Sequence, residues 1–232
     1  KVYDVPVFYF PKFFHPDPSV KRQSGFLMPK FEGSKNTGSA LHTPYYHVIS
    51  ENKDLTLYPR FYKLDKMLLQ SEYREIKRNS KTDIDASILR DKNSNKTHFF
   101  LNHKLDLDLG LFEESNTLFK FERTTDDTYL KKYKIKSPII KNQNNLENSI
   151  EFNGANEDLA FETNFYIFED LSKNKHDRYQ YVYPSFSLEK SINSLENLNG
   201  ELTLKSRGSL KEYDTNVKEQ VLINDLLFES TP

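Results

Sequence analysis

The sequence predicts an all-β protein, built from about residue 25 onward as an antiparallel up-and-down meander. Runs of roughly 8 to 14 residues with alternating polarity are separated by polar, turn-forming clusters, which is the pattern of successive hairpins. The composition favours strands, because 14 Tyr and 18 Phe accompany only 7 Gly. Helical periodicity is hard to find in any of these runs.

Polar clusters divide the meander into its strands, because Asn, Ser, Asp, Gly and their neighbours favour turns. The predicted hairpin ends are Glu32–Asn36, Ser50–Lys53, Arg78–Lys81, Asp91–Asn95, Asn142–Asn145, Asn153–Asn156 and Ser172–Lys175. Residues 113–137 form the least regular region, for which we expect a long loop.

Alternation is clearest in residues 105–109, which read Leu-Asp-Leu-Asp-Leu. Side chains alternate across a strand, so one face is predicted to be apolar and the other wet. The apolar set is Leu105, Leu107 and Leu109, and the wet set is Lys104, Asp106 and Asp108. The runs Lys96–Gly110 and Leu159–Asp170 are long and suit a tilted membrane strand of about 9 to 11 residues. A soluble β-sandwich alternates in the same way, so this pattern leaves both architectures open.

The charge balance argues against nucleic-acid binding, because 33 basic and 34 acidic residues give a net charge of −1 without a basic patch. No window approaches the roughly 18 consecutive apolar residues of a membrane-spanning helix, so a membrane role requires strands or a surface contact. The absence of cysteine excludes disulfides and thiol chemistry within this stretch.

Signatures of catalysis and cofactor binding are missing from the sequence. The glycines form no dinucleotide fingerprint, phosphate loop or nucleophile elbow. The histidines of two pairs are five residues apart, which places them on opposite faces of a strand, so no shared metal ion is expected. These pairs are His42 with His47 and His98 with His103. Asp106 and Asp108 share a face and suit a glycosidase, but such carboxylates are far more often solvated or lumen-lining groups. We expect no enzyme, cofactor or metal.

A series of short motifs, in shared order over roughly residues 5–75, resembles the family of the lipopolysaccharide-assembly outer-membrane protein LptD, also called the organic-solvent-tolerance protein. Beyond about residue 135 the likeness is mainly one of strand patterning. The motifs are Val5–Pro11, Lys21–Pro29, Gly38 with Pro44–Tyr46, Asp54–Arg60, Glu72–Arg74 and, later, Asp126–Leu130.

The resemblance implies a periplasmic β-jellyroll joined to a very large barrel in the cell outer membrane. Residues 1–24 are expected to be the end of the jellyroll and its connector, and residues 25–232 the N-terminal barrel strands, too few to close the barrel. The resemblance also implies an LptA-type periplasmic bridge that delivers lipopolysaccharide to the jellyroll, and an LptE-type lipoprotein that plugs the barrel. Acyl chains pass into outer-membrane lipid, while sugars cross the lumen to the outer leaflet. Family members usually carry cysteines that tie the jellyroll to the barrel, and this stretch has none.

The resemblance also places a lateral gate at Pro29 and Pro44, each of which lacks a backbone donor in the first two predicted strands. Predicted lumen-lining residues are Glu72, Arg74, Lys104, Asp106 and Asp108. The alternative is a soluble or surface β-sandwich that binds glycans through its Tyr and Phe side chains. A carbohydrate-active enzyme is a third reading. Two sheets packed face to face would indicate the sandwich, and a single open sheet the barrel.

Overall fold

The computed structural model describes residues 22–34, 37–62, 66–91, 95–192 and 200–230. Most of the expected connector, residues 1–24, therefore lies outside the described residues. The described residues form one 14-stranded antiparallel sheet and one short helix. The elements are β1 Gly25–Phe26, β2 Lys30–Ser34, β3 Gly38–His42, β4 Tyr45–Ser50, β5 Lys53–Tyr62, β6 Lys66–Ile76, β7 Ser80–Arg90, β8 Asn95–Leu107, β9 Glu114–Thr124, α1 Tyr129–Lys132, β10 Asn145–Ala155, β11 Leu159–Asp170, β12 Tyr179–Ile192, β13 Gly200–Tyr213 and β14 Lys218–Ser230.

The sheet is an open meander in which each strand from β5 to β14 pairs with its neighbours in sequence. At its start, β1 and β2 are two pieces of a first strand, which pairs with β4 and β3 respectively. β3 and β4 form the second strand, and both pair with β5. The first strand and β14 are the two ends of the described sheet. This confirms the expected all-β, unclosed meander and disfavours the sandwich.

One face of the sheet is apolar and exposed; we call it the apolar face. Residues opposite each other in a register share a face, and alternate residues along a strand return to it. Phe119, Ile150 and Phe165 are paired in this way across β9, β10 and β11. Their side chains are exposed, as are those of Phe61, Met67, Ile88, Phe99, Phe121 and Ile167. A contiguous exposed apolar band of this kind marks contact with a lipid or a partner.

The opposite face carries mostly polar side chains, and we call it the polar face. The hydrophobic core lies on the part of this face that a connecting segment covers. Residues 125–144, which we call the covering segment, include α1 and connect β9 to β10. Tyr129, Leu130, Tyr133, Ile135 and Ile139 of this segment are buried in one cluster with apolar side chains of the sheet. These sheet residues are Leu68, Leu89, Phe100 and Leu146, with Leu171 just beyond β11. The core is therefore formed between the sheet and its own connecting segment.

Two predicted boundaries needed correction, and one agreed in full. The expected loop at residues 113–137 was placed too early, because β9 occupies Glu114–Thr124 and the long connection is residues 125–144. β8 ends at Leu107, three residues before the predicted end at Gly110. β11 runs from Leu159 to Asp170, as the alternation predicted. Among the residues described, no helix has the length and apolarity needed to span a membrane.

Candidate functional site

The seam between the first and second strands is interrupted where the sequence places Pro29 and Pro44. Phe26 pairs with Tyr45, and Lys30 pairs with His42. Three residues of the first strand, 27–29, therefore stand opposite two of the second, 43–44. An extra residue on one strand is a β-bulge, which locally disrupts the ladder. Both prolines lie in this break, just outside the strands β2 and β4 that follow them.

Pro44 removes one hydrogen bond from the ladder directly. The Leu27 N–H donates to the Pro44 carbonyl oxygen over 2.8 Å. Antiparallel residues that face each other in this way normally exchange two bonds. The second would run from the N–H of residue 44 to the carbonyl of Leu27, and proline has no N–H to donate.

Pro29 acts differently, because it belongs to the bulge and is exposed. A bulge leaves its extra residue unpaired, so the loss of an N–H there weakens the seam less than the loss at Pro44. The two prolines do lie on adjacent strands, and the first of these strands is an edge of the described sheet.

A third proline weakens the next seam at the same level. The Thr43 N–H donates to the Pro59 carbonyl oxygen over 3.2 Å. Pro59 cannot return the bond to Thr43, so the ladder between the second strand and β5 also loses one donor. In the sequence, Pro59 is recognisable only as part of the motif Asp54–Arg60. Its importance depends on the register, which places it opposite Thr43.

One end of the interrupted seam is held by an ion cluster. Asp54 is buried and accepts a hydrogen bond from Arg74 Nε over 2.7 Å and another from the Arg22 guanidinium. Beside it, the Val48 N–H donates to Ser24 Oγ over 2.8 Å. The start of the first strand is therefore fixed to β4 and β5, while its middle is broken.

Four of the five predicted lumen-lining residues lie on the polar face. Glu72 pairs with Asp85 and Arg74 with Asp83, and Asp83 in turn pairs with Asn102. Lys104 and Asp106 follow Asn102 at alternate positions of β8, so they share this face. The fifth, Asp108, lies beyond the end of β8 and has no strand face. Of the three leucines predicted for the apolar face, Leu105 and Leu107 are in β8 and lie on that face. Leu109 lies in the turn beyond the end of β8.

Beneath the covering segment the polar face carries a buried hydrogen-bond network. Gln70 Nε2 donates to both carboxylate oxygens of Asp85 at 3.0 Å. His98 Nε2 lies 3.1 Å from Asp85 Oδ1, and its Nδ1 lies 2.6 Å from Ser87 Oγ. Ser87 Oγ is also 2.7 Å from the Tyr129 hydroxyl. The network thus connects three strands to the covering segment.

Ser87, His98 and Asp85 have the connectivity of a hydrolase triad, but their environment closes them to substrate. The side chains of His98 and Asp85 are fully buried, and Tyr129 occupies the other side of the Ser87 hydroxyl. Burial raises the pKa of Tyr129 to about 12, so its phenol stays protonated and able to donate. The arrangement anchors the covering segment.

His98 and His103, one of the two histidine pairs five residues apart, lie on opposite faces of β8, as the sequence predicted. His103 bonds Thr82 at 2.8 Å on the apolar face, whereas His98 is in the buried network. In the part of the chain that the structure describes, no group of three His, Cys, Asp or Glu residues is placed to hold a metal ion.

Four further contacts hold the covering segment to the sheet. Arg60 Nη1 donates to the Tyr133 carbonyl over 2.7 Å, and Gln70 Nε2 donates to the Lys136 carbonyl over 2.9 Å. Lys96 binds Asp126 at 2.6 Å, near the start of the segment. Lys134 binds Glu32 of β2 at 2.6 Å, so the segment reaches the first strand itself.

A known protein family matches the first part of the chain. The sequence profile of a family described as LptD protein matches residues 1–99. Residues 1–99 resemble LptD. This confirms the resemblance seen in the motifs, and the matched part of the chain includes the interrupted seam with Pro29 and Pro44.

Relatives named LPS-assembly protein LptD match the same part of the chain. That of Pseudomonas aeruginosa (strain LESB58) is 40% identical over 99 residues, which are 43% of this chain and 10% of the relative. That of Pseudomonas putida (strain W619) is 40% identical over 96 residues, or 41% and 10%. That of Pseudomonas fluorescens is 37% identical over 124 residues, or 49% and 13%. The chain spans about a tenth of the length of these curated LptD relatives.

Proposed function

We propose that this chain supplies the first strands of an outer-membrane barrel that delivers lipopolysaccharide to the outer leaflet. The observation that carries the proposal is the seam interrupted at Pro44, in an open sheet with one apolar and one polar face. Its first 99 residues resemble proteins named for lipopolysaccharide assembly. In this proposal the whole barrel is completed by strands of a longer protein.

The two faces of the sheet divide the substrate. The apolar face contacts membrane lipid, because exposed Phe, Ile and Met side chains gain free energy when they leave water. The polar face lines a hydrated lumen in which Glu72, Arg74, Lys104 and Asp106 meet the sugars and phosphates, and Asp108 joins them from just beyond the end of β8. Such walls exchange hydrogen bonds with saccharides at little net cost, whereas acyl chains are excluded towards the membrane.

The interrupted seam is the lateral gate of this proposal. Strand separation is easiest where the ladder has fewest bonds, and Pro44 removes one while the bulge at Pro29 disrupts the pairing around it. In this proposal the first strand parts from the second at this break. The saccharide then leaves the lumen while the acyl chains remain in lipid.

The partners are those of the family, namely an LptE-type lipoprotein plug and an LptA-type periplasmic bridge that acts through a jellyroll. We infer that residues 1–24 are the end of that jellyroll and its connector to the barrel. Transport requires no covalent chemistry, so the proposed protein is not an enzyme and needs no cofactor. The buried position of the Ser87, His98 and Asp85 side chains supports this assignment.

Photo-crosslinkers placed at Asp106 and Leu107 of the full-length protein test the division between the faces. These neighbours point to opposite faces of β8, so each serves as the control for the other. The Asp106 probe should capture the saccharide part of lipopolysaccharide, and the Leu107 probe membrane acyl chains. Identical adducts at the two positions would contradict the proposal.

A further inference from the structure

A cavity of about 620 Å³ lies on the polar face, between the interrupted seam and the covering segment. Pro44 forms part of its wall, so the cavity opens beside the broken ladder. Four cationic side chains and two carboxylates also line it. These are Lys30, Arg60, Lys134, Lys136, Glu32 and Glu72.

The charges around the cavity do not cancel. Lys134 is neutralised by its ion pair with Glu32 at 2.6 Å. Lys30 and Lys136 form no ion pair with any residue that the structure describes. Together with Arg60 they leave three cations to face the single remaining carboxylate. The cavity therefore favours an anionic ligand.

Arg60 is the most informative of these cations, because it is only 7% exposed. Its Nη1 and Nη2 donate to neutral acceptors, the Tyr133 carbonyl at 2.7 Å and Gln70 Oε1 at 3.1 Å. Its Nε is buried and has no hydrogen-bond partner within the described part of the chain. Burying a guanidinium costs free energy unless an anion neutralises its charge. An anion bound in the adjacent cavity would therefore supply the partner that the buried Arg60 lacks.

We propose that this cavity binds a phosphate group on the saccharide of the transported lipid, immediately before it passes the interrupted seam. The proposal rests on the proposed function and adds a defined binding site to it. Lys136 extends from the covering segment and Lys30 from the first strand, so a bound phosphate bridges the two elements that border the gate. A phosphate with several charged donors is held by short, strong hydrogen bonds.

The test places a photo-crosslinker at Tyr58, which also lines the cavity, in the full-length protein. Adduct yield is measured against the concentration of lipopolysaccharide with intact phosphates, and separately with the phosphates removed. Lys136→Gln should raise the half-saturating concentration of the phosphorylated form about tenfold, because one charge-assisted contact is lost. Lys131→Gln is the matched control, since this exposed lysine lies in the same segment and outside the cavity wall. It should leave the value unchanged.

The outcomes separate this site from the proposed function. Equal yields from the two forms of lipopolysaccharide would overturn the phosphate site. Adducts at Asp106 without any at Tyr58 would also overturn it, while leaving the transport function supported. The absence of adducts at both positions would contradict the transport function itself. Inorganic phosphate is the second probe, and its binding is measured as broadening of the phosphorus NMR signal. If this broadening disappears in Lys136→Gln while the two lipid forms crosslink equally, the cavity binds free phosphate instead of the lipid.

Discussion

Replacing Pro44 with alanine should tighten the first seam, because it supplies an N–H opposite the Leu27 carbonyl. The Leu27 N–H already donates to the carbonyl of residue 44 over 2.8 Å, so the two backbones are at bonding distance. A net backbone hydrogen bond contributes about 0.5 to 1.5 kcal/mol, which lowers the population of the parted seam roughly two- to thirteenfold. Delivery of lipopolysaccharide to the cell surface should slow to a similar extent.

Pro29→Ala is the matched control for this substitution. It also adds a backbone donor, but inside the bulge, where an extra residue has no partner in the ladder. Its effect on the seam should be clearly smaller. Both substitutions increase the backbone entropy of the unfolded chain by a similar amount. This effect on stability therefore cancels when the two variants are compared.

Two measurements on the full-length protein check the prediction. The Leu27 amide should exchange its hydrogen more slowly in Pro44→Ala than in Pro29→Ala, and surface lipopolysaccharide should accumulate more slowly in cells. If Pro29→Ala slows delivery as much as Pro44→Ala, the seam argument is wrong. The same conclusion follows if neither substitution alters exchange at Leu27.

Three further predictions concern the second seam and the covering segment. Pro59→Ala should slow amide exchange at Thr43 by up to about tenfold, because it returns the missing bond of that pair; unaltered exchange would refute the pairing argument. Tyr129→Phe should remove the hydrogen bond between Tyr129 and Ser87, which keeps His98 as a partner, and destabilise the covering segment by about 0.5 to 1.5 kcal/mol, seen as faster exchange in residues 125–144. Although burial opposes it, hydrogen bonds from Lys96 and Thr128 lower the pKa of Asp126. The stability that Asp126 contributes is therefore present above its unfolded pKa of about 3.9 and lost as the pH falls through the lower folded value. Acid should loosen the start of the segment in the native protein and have less effect in Asp126→Asn.

The strand meander and the resemblance to LptD were readable from the sequence, because both depend on local information. The predicted run Leu159–Asp170 coincides with β11, because side-chain direction in a strand has a period of two and this period is visible in the sequence. Polar clusters located hairpin turns at or beside Ser50–Lys53, Arg78–Lys81 and Asn153–Asn156, because turn residues act within a few positions. The cluster Asn142–Asn145 instead ends the covering segment, and residues 35–36 and 92–94 of two other clusters lie outside the described residues. The motifs around Pro29 and Pro44 predicted a lateral gate at the first seam, and both prolines lie in residues 1–99, the part of the chain that matches the LptD profile.

Only the tertiary structure decided what each of these residues does. Residues 125–144 show no periodicity, and their burial depends on contacts with Leu68, Leu89 and Phe100, which are distant in sequence. The sequence does not distinguish the roles of the three prolines. In the sheet, Pro44 stands opposite Leu27 and Pro59 opposite Thr43, whereas Pro29 lies in the bulge. The unpartnered Nε of Arg60 likewise depends on which groups the fold brings around it. Local patterns fix the direction of a side chain, but long-range pairing determines its neighbours, and neighbours determine burial, charge balance and function.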